Sequence, residues 1–305
     1  MSENTTRCGK LLQYSKPVYT KMNTFLFYLG NVIMSSTWGQ SAWFMNFFGK
    51  YTKKISMPSE TTCSAYYSMF TKNTSFINSF HAWLVGVVDG DGSFYFAKTQ
   101  KNTWTFCFKI GQSKYNLRLL YFVKKMLGVG SISITNSKDS CAEYRIRNIN
   151  HIHDIILPIF DKEPLRTSKQ YRYELFRKSL KVYLDNNLSM FEKEKLLDYY
   201  KSQNQFIPEN YISLVWEDST EVNLDLYRSM KVISKEWLVG FTEAEGSFYL
   251  VKKGPSRMVH CFEITQKKDK LVLLAISYVL DITVYEKKGY YTCITTNRKK
   301  CRESN

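Results

Sequence analysis

Paired cysteines are missing from this chain. Its seven, Cys8, Cys63, Cys107, Cys141, Cys261, Cys293 and Cys301, form no CxxC or CxxxxC pair and have no histidines at ligand spacing. That pattern argues against a zinc module. An odd, scattered set, with Cys107 and Cys261 inside apolar strand patterns, fits a reducing compartment better than a disulfide-stapled secreted fold. His151 and His153 form an HxH beside the apolar run IILPIF, where a helix-start or packing role is expected rather than a metal site.

Long apolar runs are missing too. None reaches the roughly 18 uninterrupted residues that a transmembrane helix requires. The nearest, residues 24–48, is broken by Asn31, Ser35, Ser36, Gln40 and Ser41 and reads as an amphipathic segment. No stable membrane insertion is expected. The opening MSENTTRCGK lacks the cationic start and apolar core of a secretory signal. Acid is scarce as well: 27 Asp+Glu stand against 43 Lys+Arg, a formal charge of +16. Such a surplus favours a polyanionic partner.

What the chain does have is a repeat. WLVGVVDGDGSFYF begins at Trp83 and WLVGFTEAEGSFYL at Trp237, 154 residues later. In the same register TFCFKIGQSKYNLRLL (105–120) falls on VHCFEITQKKDKLVLL (259–274) without a gap, aligning Gln112 with Gln266 and Lys114 with Lys268. Two chemically different matches at one offset mark a duplicated unit.

Each copy reads as αββαββα, an α+β module with four strands. The run from Phe80 to Val88 suggests a buried helix ending at an acid-glycine pair, with Gly92 and Gly246 where a helix C-terminus favours a left-handed residue. Trp104, Phe106, Phe108 and Ile110 then alternate with polar residues as a half-wet strand, giving a hairpin over about 93–112. A helix starting at Ser113 and carrying Leu117, Leu120, Tyr121, Val123 and Leu127 stops at Gly128. A second hairpin puts Tyr144 and Ile146 inward, and helices follow over 151–202. The expected organisation is a leader (1–77), a first unit (78–202), a linker (203–232) and a second unit (233–305) that lacks the closing helices.

The repeated stretch carries the chemistry. Gly86 and Gly90 are four residues apart, as are Gly240 and Ala244, so each helix has a strip without bulk along which two backbones can meet. Asp91 and Glu245 close those helices, at the end where the backbone dipole disfavours a carboxylate. Pairing the helices would bring the two acids together and worsen the repulsion. A hard divalent cation, Mg2+, held by these carboxylates and the carbonyls of Gly90 and Ala244 would offset it. Two acids sharing metal beside a phosphate suit phosphodiester hydrolysis.

LVGVVDGDG at 84–92 and LVGFTEAEG at 238–246 resemble the two signature helices of the single-chain LAGLIDADG homing endonuclease and intron maturase family, encoded in fungal mitochondrial group I introns. The resemblance covers about 80–297. It implies two pseudo-symmetric units whose sheets form a saddle over double-stranded DNA, in a monomer acting as a pseudo-dimer within the mitochondrion. It implies that Asp91 and Glu245 bind catalytic Mg2+, that Gln112 and Gln266 lie near the scissile phosphates, and that Lys169 positions water or stabilises charge. The lysine's partner in the second unit would fall beyond Asn305. Some members of the family act instead as maturases on their own group I intron RNA, which stands as the alternative.

Lys98, Lys101, Lys109, Arg145, Arg147, Lys252, Lys253 and Lys287 are expected to line the nucleic-acid surface, neutralising phosphates. Tyr95, Tyr249, Tyr290 and Tyr291 would stack on RNA bases if they face outward.

Overall fold

The computed structural model describes residues 74–134 and 141–297. The expected leader therefore lies almost wholly outside the described residues. Contacts divide the chain into a larger unit, Glu60–Ser247 with Glu263–Ile294, and a smaller one whose described part is Phe248–Phe262 and residues 295–297.

In the larger unit, helix α1 (Thr74–Asp91) buries almost every residue from Phe80 to Asp89. It passes directly into strand β1 (Gly92–Lys98), which pairs antiparallel with β2 (Trp104–Ser113). Ser113 accepts a hydrogen bond from the Tyr115 amide and caps a short turn leading into α2 (Leu117–Leu127). Gly128, at φ 71°, ends that helix in the left-handed conformation that a side chain resists. Strands β3 (Ser131–Ile134) and β4 (Cys141–Ile146) complete an antiparallel sheet in the order β1-β2-β4-β3. Helical turns from Ile149 lead into α3 (Leu157–Lys162), followed by α4 (Lys169–Leu184) and α5 (Met190–Gln203).

The sheet's inner face and these helices enclose an aromatic cluster. Phe94 has ring centroids of Phe108, Phe160, Tyr173 and Phe176 within 5.1–5.5 Å, most at steep angles, the geometry that ring quadrupoles favour. Aromatic residues make up 16% of the chain, and many of them go into core packing. Tyr121 departs from its expected inward place: it lies on the exposed side of α2, while Leu120, Val123 and Leu127 are buried.

Residues 203–232 do not run free. Trp216 is buried and donates its indole N–H to the Arg166 carbonyl at 2.8 Å. After α6 (Leu226–Val232), Ser234 caps α7 (Lys235–Glu245). The second copy then follows in the same order: β5 (Gly246–Gly254), β6 (Arg257–Gln266), α8 (Lys270–Leu280), β7 (Thr283–Lys287) and β8 (Tyr290–Thr295), with strand order β5-β6-β8-β7. The protein is an α+β fold built on two αββαββ repeats, the first followed by further helices.

That difference shows on the sheets. Phe96 and Trp104, beneath the helices of the first repeat, are 0% and 8% exposed, whereas their counterparts Leu250 and Met258 are 56% and 54% exposed.

Candidate functional site

The two signature helices pack directly against each other in the larger unit. A Cβ on Gly86 would collide with the carbonyl oxygen of Trp237 and lie 2.8 Å from the Phe241 amide. Reciprocally, one on Gly240 would collide with the Trp83 carbonyl and lie 3.0 Å from the Val87 amide. Because 83 and 237, and 87 and 241, are repeat equivalents, the contact is two-fold symmetric. Only residues without a side chain permit this separation. One turn on, a Cβ on Gly90 would strike that of Ala244 and come within 3.0 Å of Glu245 Cγ, so both helices end side by side.

Gly92 and Gly246 serve a different purpose from the one expected. Neither has a positive φ; Gly246 is extended at φ −78°. Each chain turns from helix to strand without a loop, and a Cβ there would be driven into Val88 or Thr242 one turn earlier. The requirement is for space, not for left-handed backbone.

The register of the first hairpin sets Gly92 opposite Ile110, which brings Gln112 beside the helix end. Its amide N–H donates to Asp91 Oδ2, and its oxygen accepts from Asn116 at 3.3 Å. No matching bond joins Gln266 to Glu245 among the described residues. Lys169, the first residue of α4, directs its ammonium onto the carbonyl oxygens of Val88 (3.4 Å) and Gly90. Burial pushes the Asp91 carboxyl up to about 7, against the pull of Lys169 and with a further push from Glu245. Burial also lowers the Lys169 pKa, opposed by Asp89, Asp91, Glu245 and Asp269. A buried lysine and a buried acid thus meet at one helix end.

Three further carboxyls, two of them at this site, were given no role by the sequence reading. Asp89 is 2% exposed. Its Oδ2 accepts from the Arg166 amide (3.0 Å) and the Trp237 indole (2.7 Å), and its Oδ1 from the Thr167 amide (3.0 Å) and hydroxyl (2.6 Å). Four donors saturate an acceptor-only group. Asp269 accepts from the Ser168 amide and hydroxyl at 2.6 and 3.1 Å, and burial raises its pKa to about 6. Glu243, the repeat equivalent of Asp89, is pushed to about 7 by burial. The available signal was an acid recurring at 89 and 243 inside otherwise apolar helices.

The expected nucleic-acid residues are placed unevenly. Lys109 and Arg145 are cross-strand partners on the sheet face away from the helices, and with Arg147, Tyr95, Thr105 and Cys107 they line a groove of about 550 Å³. Both are engaged by Glu143, Lys109 at 3.4 Å and Arg145 through its Nε at 2.6 Å. Lys101 is exposed in the β1–β2 turn, and Lys287 sits on β7 with its ammonium 6.0 Å from the Tyr285 ring.

Lys98 does not belong to the open face. It shares parity with Phe94 and Phe96 and pairs with Glu194 of α5 at 2.6 Å. Lys252 and Lys253 are both exposed on β5, but successive strand residues point to opposite faces. Lys252, in step with Phe248, takes the side equivalent to that of Lys98. Tyr95, Tyr249 and Tyr290 are exposed, whereas Tyr291 is half-buried beside the Lys270 ammonium.

Among the described residues no cluster of three or more His, Cys, Asp or Glu side chains could hold a metal, and no helix is long and apolar enough to cross a membrane. His153 pairs with Asp154 on a helical turn.

Known proteins carry the same architecture. The sequence profile described as LAGLIDADG endonuclease matches residues 84–180 and 238–303, more than half of the chain. This chain belongs to the LAGLIDADG endonuclease family. "Probable intron-encoded endonuclease Cox1-I1b" of Schizosaccharomyces pombe is 40% identical over 217 residues, 70% of this chain and 52% of its own length. "Uncharacterized mitochondrial protein RF1" of Saccharomyces cerevisiae is 29% identical over 69% of this chain and 40% of its own length. The chain thus spans about half the length of the curated relatives it matches. I-SmaMI bound to uncleaved DNA target in the presence of calcium ions shares the fold with a TM-score of 0.54 and 24% identity, covering 73% of this chain and 81% of that one. I-CpaMI bound to uncleaved DNA gives 0.55 and 20% over the same shares.

Proposed function

We propose that this chain is the nuclease portion of an intron-encoded, site-specific double-strand DNA endonuclease that hydrolyses phosphodiester bonds with Mg2+ in the mitochondrion, acting as a monomeric pseudo-dimer. The observation that carries the reading is the reciprocal packing of the two signature helices, which ends them side by side with one acid each, Asp91 and Glu245. DNA-bound LAGLIDADG structures of the same fold and an intron-encoded relative support it.

The donor set suits magnesium: two carboxylates and the carbonyls of Gly90 and Ala244 are hard oxygen ligands, and magnesium is commonly held by one or two carboxylates with water and phosphate. When bound there it would acidify a water and stabilise the departing oxygen. Gln112 orients the Asp91 carboxylate. The Lys169 ammonium lies at the rim of that site, where it can hydrogen-bond water or offset phosphate charge. Lys109, Arg145 and Arg147 offer a cationic floor to the DNA backbone.

The test is cleavage of a plasmid library of candidate target sites by the full chain with Mg2+. Linear product is expected, lost on Asp91→Asn. Cleavage that persists unchanged in Asp91→Asn overturns the assignment. Restored splicing of the host intron by a double Asp91→Asn, Glu245→Gln chain would instead favour the RNA maturase role.

A further inference from the structure

We infer that Asp269, from the second repeat, is a positioning residue for Lys169 of the first, acting through residues 166–168. This rests on the nuclease reading for its consequence but not for its geometry. Arg166, Thr167 and Ser168 give three successive backbone N–H groups to carboxylates: the first two to Asp89, the third to Asp269. Both hydroxyls follow their amides, Thr167 to Asp89 and Ser168 to Asp269. This short strap is thus nailed to one acid from each repeat.

The cost of the arrangement identifies its purpose. Ser168 is the N-cap of α4, where a serine ordinarily accepts a helix amide, yet it makes no capping bond and turns its hydroxyl to Asp269. Thr167 fills the gap: its Oγ1 accepts the Lys169 amide at 3.3 Å while donating to Asp89. The first residue held by this network is Lys169, whose ammonium rests on the carbonyls of Val88 and Gly90.

The device is one-sided. The repeat equivalent of Asp269 is Tyr115, which is exposed. The carboxylate of this clamp therefore comes from the second repeat and the strap it holds from the first. Charge-assisted bonds to backbone amides are strong and directional, so losing one carboxylate oxygen loosens the strap without removing any group that touches DNA.

The experiment uses the full chain with 13C-dimethylated lysines, the Lys169 resonance being assigned by Lys169→Arg. Asp269→Asn, which removes the charge and one of the two acceptor oxygens facing Ser168, should shift that resonance toward its exposed neighbours, and Ser168→Ala should shift it part-way. In single-turnover cleavage Asp269→Asn should slow the rate by about tenfold or more while target affinity in calcium stays within about threefold. In a Lys169→Ala background the same substitution should change the rate by less than about twofold, because its effect runs through the lysine. A Lys169 resonance unmoved by both substitutions overturns the inference, as does a full effect of Asp269→Asn without Lys169. Should Asp269→Asn fail to fold, Ser168→Ala alone decides. If the unaltered chain cuts no target, the nuclease reading fails while the resonance still tests the clamp.

Discussion

The carbonyl oxygen of Trp237 occupies the space where a side chain on Gly86 would begin, and Gly240 stands in the same relation to Trp83. Backbone against backbone cannot give way as a flexible side chain can, so Gly86→Ala or Gly240→Ala should destabilise by about 3 kcal/mol or more, toward the upper end of overpacking penalties. Gly111 is the control. A Cβ there would meet no atom within 4 Å, and its φ is not positive, so Gly111→Ala should stay within about 0.5 kcal/mol. Urea unfolding of the three variants checks this.

The acids give a pH dependence. Asp91 and Glu243 titrate at about 7 and Asp269 at about 6 in the folded chain, above the roughly 4 of an unfolded carboxyl. Between those values the native state holds more protons, so without divalent cations stability falls as pH rises from about 4 to 7 and then levels. Magnesium binds the deprotonated form, so its stabilisation should grow across the same window and shrink in Asp91→Asn. Melting curves with chelator and with Mg2+ at several pH values test both signs; stability that rises from acid to neutral in chelator would contradict the first.

Equivalent positions of the two repeats should respond differently to truncation. Phe96→Ala removes a ring sealed beneath the helices of the first repeat and should cost about 3–5 kcal/mol. Leu250→Ala, at the exposed equivalent, should cost less than about 1 kcal/mol. Chemical denaturation of the pair would show whether the two positions differ as their exposure indicates.

On the open face Glu143 pairs with Lys109 and Arg145, so under the proposed DNA-binding role it would compete with phosphate for them. Glu143→Gln should therefore tighten DNA binding, while Arg145→Ala should weaken it and reduce the slope of log K against log salt by about 1. Lys98→Ala, which only frees Glu194, should leave that slope unchanged. Binding titrations across salt concentrations distinguish the three.

The local sequence was sufficient for the repeat, the αββαββ order, the facing glycine strips and the paired helix-end acids. Each of these is written in spacing: period 3.6 for the helices, period 2 for the strands, and one offset of 154 for the duplication. The faces of Lys98 and Lys252 were not legible in this way, because alternation assigns faces only once a neighbour such as Phe94 is known to be inside. Tertiary structure alone decided the rest. Asp89 meets Thr167 and Trp237, and Asp269 meets Ser168, across 78, 148 and 101 positions of chain. A hydrogen bond between groups so far apart leaves no periodic trace, since it depends on where packed elements end and not on the order of residues within them.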